Sequence, residues 1–181
     1  TVTIGRQPAN WGTGIFVKAD NRDRFKATAK FGDTIVLYAY DKYVESFQFH
    51  ETDGIGDRTQ HSVGAISKIA GFNVGGIVGL ITDESVQGHD VSLPAGSVYA
   101  MGKAGPAMVK AELVYAAGTD THGGAERDLT GMLAYLALSM PAGPVSLSVE
   151  GAYAKGDDPG TADENEGTLK HDYHTPFNSV I

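Results

Sequence analysis

The sequence predicts an all-β fold, an antiparallel up-and-down β-barrel of the transmembrane type, and three observations support this prediction. Apolar and polar residues alternate with a period of two, which places them on opposite faces of a sheet. Short turns alternate with longer polar segments, as in barrels with tight turns at one end and long loops at the other. The turn glycines recur every 34 to 39 residues, in segments 31–34, 70–73, 103–106 and 141–144.

About ten strands are predicted from the alternation between these turns. The first covers residues 1–7. The segment that follows, residues 8–23, is predicted to be irregular, because it is too rich in Gly and Pro to form a plain strand. The second covers residues 24–31, where basic residues and a threonine alternate with Phe and Ala. The remaining predicted strands are residues 34–44, 59–70, 73–82, 91–102, 107–117, 128–140, 145–154 and 177–181.

The connections opposite the four turns are predicted to be long polar loops, and the last is strongly acidic. They comprise residues 45–58, 83–90, 118–127 and 155–173. In outer-membrane barrels the short turns lie on the periplasmic side and the long loops lie outside the cell. The four turns are therefore expected to face the periplasm.

The whole chain, residues 1–181, is predicted to form a single barrel domain. It begins inside a predicted strand at residues 1–4 and stops inside another at residues 177–181. These ends predict a section of a larger barrel that is truncated at both ends.

Composition and motifs exclude several classes of protein. The chain has no cysteine, which excludes disulfides and thiol catalysis. Its net charge of −8 argues against nucleic-acid binding, because no basic stripe offsets that charge. No nucleophile elbow marks a catalytic serine, and Gly12-Thr13-Gly14 lacks the rest of a nucleotide-binding motif. We therefore expect neither enzymatic activity nor a cofactor.

Strand length favours a membrane barrel over a soluble one. The predicted strands run for about 8–12 residues, whereas a membrane-spanning strand needs ~9–11 and a soluble strand usually has ~5–6. The apolar faces also carry small residues, which a lipid-facing surface accepts because it does not interlock with an opposing core. The alternative is a soluble or cell-surface β-barrel or sandwich that acts as a binding module.

Two regions of the sequence carry distinctive motifs. The first comprises Thr3-Ile4-Gly5-Arg6-Gln7, Asn10-Trp11-Gly12-Thr13-Gly14 and Asp20-Asn21-Arg22-Asp23-Arg24, and the second comprises Gly156-Asp157 and residues 167–178. In these motifs both ends of the sequence resemble the porin-type barrels of Gram-negative bacteria, in particular the alginate-export-like and related large porins. The resemblance implies an outer-membrane channel with more strands than the ten predicted here, and it identifies no solute.

Charged residues on the polar faces of the strands are predicted to line a water-filled lumen. The cations of residues 24–30 would form a positive ladder that concentrates anions at the channel wall. Alternatively, they pair with acidic residues on neighbouring strands, such as Asp41, Glu112 or Glu150. The predicted pore-lining residues are Arg24, Lys26, Lys30, Lys110, Glu112 and Glu150.

A second set of residues is predicted either at a constriction or at the membrane interface. It consists of Arg6 and Trp11, the only tryptophan of the chain. Similarly, Tyr38, Tyr40 and Tyr43 fit either an interfacial aromatic belt or the ordinary preference of aromatic residues for strands.

No metal site is predicted. His171 and His174 are three residues apart, and on a strand such positions point to opposite faces. The acidic residues of the last loop do not match the spacing of a calcium-binding loop. These residues are Asp157, Asp158, Asp163, Glu164 and Glu166.

The sequence therefore predicts a porin of the bacterial outer membrane, through which small hydrophilic solutes or ions diffuse passively. Its expected partners are the lipid bilayer with its lipopolysaccharide, the transported solutes and, in a homo-oligomer, further copies of the chain.

Overall fold

The computed structural model describes residues 1–44, 57–86, 88–156, 158, 160–161 and 164–166. These residues form one sheet of ten strands. Among them, no helix is long and apolar enough to cross a membrane. The strands are β1 (Val2–Trp11), β2 (Val17–Phe31), β3 (Thr34–Val44), β4 (Arg58–Ile69), β5 (Phe72–Val86), β6 (His89–Ala104), β7 (Ala107–His122), β8 (Ala125–Ala142), β9 (Val145–Ala154) and β10 (Glu164–Asn165).

The strands follow one another through the sheet in chain order, which confirms the predicted all-β, up-and-down topology. Each neighbouring pair from β1 to β9 is antiparallel, and the short β10 pairs in parallel with β8. Within the described residues no ladder joins β1 to β9, so the sheet is open there. The last predicted strand, residues 177–181, lies outside the described residues.

All four predicted turns are tight hairpin connections of two residues. In three of them a glycine with positive φ comes first, for example Gly143 at 66°. Hairpins favour this geometry because it matches the right-handed twist of the flanking strands. The turn after β4 instead places Ala70 at a φ of 49°, which an L-residue adopts only with strain.

The prediction of long loops opposite these turns is wrong at two positions. Strand β5 continues to Val86 and β6 begins at His89, although residues 83–90 were expected to form a loop. In the same way β7 continues to His122 and β8 begins at Ala125. Most residues there are polar or charged, and only Ser85, Thr119 and Thr121 carry hydroxyl groups. A strand accepts such residues when both its faces meet polar surroundings. Segment 45–56 lies outside the described residues.

The segment 8–23, expected to be irregular, is also mostly strand. The β1–β2 ladder continues to Trp11 opposite Val17, with an irregularity after Ala9. Only residues 12–16 connect the two strands, and Gly12 and Gly14 both have positive φ there. Because glycine tolerates this conformation, the chain can bend sharply at this position.

The strand pairings assign each strand an inner and an outer face, because residues directly opposite each other point to the same side of the sheet. Among the described residues, the outer face carries nearly all the large hydrophobic side chains that are exposed. Ile35, on the inner face, is the exception among them. Those on the outer face are Val2, Ile4, Phe31, Val36, Val63, Ile69, Val78, Leu80, Val98, Leu113, Tyr115, Leu136, Leu138, Met140, Val145, Leu147, Val149 and Tyr153.

The sheet curls strongly, so that its inner face is concave. Thr13, between β1 and β2, donates its backbone N–H to Glu112 of β7 over 2.7 Å. In a flat sheet, the five strand spacings from β2 to β7 would separate these residues by roughly 24 Å. Close backbone approaches accompany the curl: a Cβ on Gly118 would lie 2.8 Å from the Cα of Leu93.

Candidate functional site

The concave inner face has a loop-side half, nearest the β1–β2 connection, and a turn-side half, nearest the four hairpin turns. In the loop-side half, residues 9–17 (the hairpin tip) fold onto β5–β8 and bury Trp11, Phe16 and Val17. Burial of a side chain such as Phe16 contributes about 1.5–3 kcal/mol. The strand residues of this apolar cluster are Ile77, Ile81, Leu93, Ala95, Tyr99, Val114, Ala116, Leu129 and Leu133.

Trp11 is the central contact of the hairpin tip. Its ring meets Tyr99 edge-on, with the ring centroids 5.3 Å apart and the ring planes at 87°. Tyr99 itself fills the space above Gly75, where even a Cβ would collide with its ring. The indole N–H of Trp11 is buried and has no hydrogen-bond partner among the described residues. An unpaired buried donor costs about 1–3 kcal/mol, so the docked tip is held less firmly than its apolar contacts alone imply.

A hydrogen-bonded latch, formed by Thr13, Ser97 and Glu112, fixes the hairpin tip to the strands. Both the backbone N–H and the hydroxyl of Thr13 donate to Oε2 of Glu112, over 2.7 and 2.5 Å. Ser97 donates to Oε1 of the same carboxylate over 2.6 Å. A Cβ on Gly12 would lie 2.8 Å from Oε2, so glycine is needed for this close approach. Hydrogen bonds to a charged acceptor are stronger than neutral ones, which makes Glu112 the main polar anchor of the tip.

A second polar cluster, the arginine network, lies beside the hairpin tip on β2, β3 and β4. Arg24 binds Asp41 through two nitrogens, one of them Nη2 at 2.6 Å from Oδ2, and Arg22 contacts the same Oδ2 at 3.2 Å. Arg22 also donates to Tyr43 and Gln60. Asp41 is only 1% exposed, and charges buried this deeply are normally paired.

The six predicted pore-lining residues all lie on the inner face, but they have two different environments. Arg24 belongs to the arginine network, as the pairing alternative predicted, and Glu112 is buried in the latch. Three others, Lys30, Lys110 and Glu150, are exposed, and Lys26 is partly exposed. Glu150 accepts a hydrogen bond from Tyr135 over 3.1 Å.

The two residues predicted at a constriction or an interface separate in the structure. Trp11 points inward and is buried in the apolar cluster. Arg6 points to the outer face, where its side chain is 72% exposed and lies 4.0 Å from Asp23. The prediction that Arg6 lies at a constriction is therefore wrong. Side chains alternate between the two faces along a strand, and Arg6 and Trp11 occupy an even and an odd position of β1.

The three tyrosines considered for an aromatic belt do not share a face. Tyr38 and Tyr40 point outward, where Tyr38 bonds Nδ1 of His61 at 2.9 Å and the Tyr40 ring lies 4.8 Å from the His61 ring. Tyr43 points inward and packs under Arg22, with 4.3 Å between the guanidinium carbon and the ring centroid. An odd and an even position of one strand cannot belong to the same belt.

Several residues of this site were not predicted from the sequence. Thr13 and Ser97 are the partners of Glu112, and Gln60 joins the arginine network. The one available signal was Gly12-Thr13-Gly14, since two glycines beside a hydroxyl favour a sharp bend with a donor at its apex. The hydrogen bonds between Thr13 and Glu112, which are 99 residues apart in sequence, depend on the curl of the sheet.

In the described part of the chain, no group of His, Asp and Glu side chains is arranged to hold a metal ion. His171, His174, Asp157 and Asp163 lie outside the described residues. In the last loop, Glu166 accepts a hydrogen bond from Lys155 over 2.5 Å, which raises the pKa of that ammonium group.

Comparison with protein-family models, curated proteins and solved structures finds no match to this chain. The interpretation of the inner face therefore depends on the burial, charge and contacts of its own residues.

We predict that Asp41→Asn destabilises the protein by about 3–5 kcal/mol, because it leaves two buried guanidinium groups without their counter-charge. The measurement is a urea unfolding midpoint of the purified protein. Asp23→Asn is the matched control: its partner Arg6 is exposed, so the expected loss is below about 1 kcal/mol. Equal losses in the two variants would contradict the assignment of the arginine network as a buried structural unit.

We predict that Glu112→Ala releases the hairpin tip, because three hydrogen bonds to the latch carboxylate disappear. Trp11 is the only tryptophan, so its emission should shift to longer wavelength and acrylamide should quench it more strongly. Glu150→Ala is the matched control, since it removes an inner-face carboxylate that does not contact the tip. An unchanged Trp11 spectrum in Glu112→Ala would show that apolar packing alone holds the tip.

Proposed function

We propose that the chain forms part of a transmembrane β-barrel of the bacterial outer membrane and acts as a channel for small hydrophilic solutes or ions. The observation that carries this proposal is the outer face, where eighteen of the described large hydrophobic side chains are exposed on β1 to β9. Soluble proteins rarely expose so continuous an apolar surface, whereas a lipid-facing barrel requires it.

A polar row on the outer face supports the membrane interpretation. Eight residues that are neighbours through successive strand pairings cross the sheet from β1 to β8, and all eight are polar or charged. The next outward positions toward the turns are mainly apolar, beginning with Ile4, Phe25 and Tyr40. The polar row consists of Arg6, Asp23, Lys42, Thr59, Thr82, Ser92, Thr119 and Asp128.

The distance from the polar row to the turns fits the thickness of a bilayer. Strand β3 has nine residues from Thr34 to Lys42, and β6 has twelve from Ser92 to Lys103. A tilted strand crosses the hydrocarbon core with ~9–11 residues. Tyr38, Tyr40 and His61 lie just on the apolar side of the row, where an interfacial belt is expected. The polar row is thus our proposed boundary with the lipid headgroups and lipopolysaccharide.

The features of the inner face support a role in transport rather than a purely structural role in the membrane. Its turn-side half carries exposed charged residues, as the wall of an aqueous passage does. The hairpin tip fills the loop-side half, so we propose that it narrows the passage and that solutes cross more freely when it is displaced. The packed apolar cluster beneath the tip is the feature that favours the alternative, a soluble or cell-surface binding module. The apolar outer face argues against that alternative.

A charge scan on β6 tests the membrane location. We predict that Val98→Arg weakens folding into lipid vesicles by about 2–4 kcal/mol, while Ser92→Arg weakens it by about 1 kcal/mol or less. The two residues lie on the same strand and the same face, but Ser92 belongs to the polar row. Equal, small effects in both variants would favour the soluble alternative.

A planar-bilayer recording tests the channel function. The full-length protein, refolded in detergent and added to the bilayer, is expected to produce stepwise increases in ionic current. Glu112→Ala should give larger steps than the unchanged protein, because the released hairpin tip no longer narrows the passage. Protein that enters the bilayer without conducting would count against the channel and leave an anchored structural role.

A further inference from the structure

The turn-side half of the inner face gathers five lysines, which we call the lysine collar. Strand pairing places all of them on the same side as the arginine network. For example, Lys26 is opposite the buried Ala39, and Lys110 is opposite Met101, which packs against the apolar cluster. Four of the five are exposed and Lys26 is partly exposed. The lysine collar consists of Lys26, Lys30, Lys68, Lys103 and Lys110.

The collar differs from the rest of the inner face because its cations are unpaired. In the loop-side half, Arg22 and Arg24 share Asp41, and Arg58 lies 3.6 Å from Asp83. Among the described residues, no carboxylate forms an ion pair with any collar lysine. Within the described residues, the chain thus places Arg22, Arg24 and Arg58 beside carboxylates at one end and leaves its lysines without such partners at the other.

Few acidic groups oppose the collar. Glu150 is two strands from Lys110, through the row Lys110–Ala137–Glu150, and it already accepts a bond from Tyr135. Asp33 lies in the exposed turn between β2 and β3. Glu112 of the latch lies two residues from Lys110 on the same face, where its carboxylate accepts bonds from Thr13 and Ser97. Five positive charges against these three negative ones still leave a net positive field on this half, although the whole chain carries −8.

The collar lysines are close enough to act together on a mobile ion. Lys103 is two residues from Met101, the residue opposite Lys110, so the two lysines are diagonal neighbours roughly 7–8 Å apart at the backbone. The Debye length is ≈ 10 Å at 0.1 M salt, so their potentials overlap. A concave, low-dielectric wall focuses such a field and raises the local concentration of counter-ions.

We propose that the lysine collar is an attraction site for small anions at the turn-side mouth and makes the passage anion-selective. The ligand class is inorganic anions and small carboxylates or phosphates. Lysine suits this task because its ammonium group stays hydrated and releases its ligand readily, whereas arginine forks hold carboxylates in fixed pairs. The selectivity rests on the proposed channel function, but anion binding to the collar does not.

The test removes collar charge and compares it with an equal loss of charge elsewhere. The collar variant is Lys68→Gln/Lys103→Gln/Lys110→Gln in the full-length protein. The matched control is Arg6→Gln/Lys42→Gln/Lys155→Gln, which removes three cations outside the inner face. Two readouts are taken: the reversal potential in a tenfold KCl gradient, and the anisotropy of pyranine, a trisulfonate dye, with the protein in detergent.

The unchanged protein and the control are expected to favour chloride over potassium by about threefold or more, and the collar variant should lose at least about half of that preference. Pyranine binding should weaken in the collar variant only. If the protein does not conduct but pyranine binding weakens in the collar variant alone, the result supports anion binding at the collar and counts against the channel function. A cation-selective channel, or equal behaviour of the collar variant and the control in both readouts, would overturn the proposal.

Discussion

The continuous register of nine antiparallel strands is the constraint on which the rest of the structure depends. Because side chains alternate with a period of two, a slip of one residue in any ladder would move that strand's apolar set to the inner face. The ladders are unbroken over most of their length, for instance through twelve consecutive pairs between β4 and β5. The outer face therefore presents mainly apolar side chains between the polar row and the turns, and the opposite face is free to carry charge.

The inner face uses its charged residues in two different ways. Arg22 and Arg24 are buried with Asp41 and hold β2 against β3, which is a structural use of charge. Lysines of the turn-side half remain exposed and unpaired among the described residues. This division follows side-chain chemistry, since a guanidinium fork can satisfy a buried carboxylate through two bonds, whereas an ammonium group retains its water more strongly.

Much of the fold was predictable from local signals, and the site was only partly so. The four hairpin turns and the alternation of residues 24–31 identified the strands, because both signals operate within a few residues. The polar segments 83–90 and 118–127 were mistaken for loops, because composition does not distinguish a loop from a strand with polar surroundings. Inner-face membership followed from alternation, but the burial of Arg24 and Glu112 depends on a hairpin that folds across the sheet, which no local pattern encodes.

The latch between Thr13 and Glu112 also has a kinetic consequence, since its partners are 99 residues apart in the chain. Each hairpin of the sheet closes through neighbouring residues, whereas this contact must wait until five further strands have been added to β2. Contacts of such long sequence separation form late, because the entropy of closing a large loop must first be overcome. The strands up to β7 can thus pair before the hairpin tip docks, and we expect the burial of Trp11 to follow the pairing of β7.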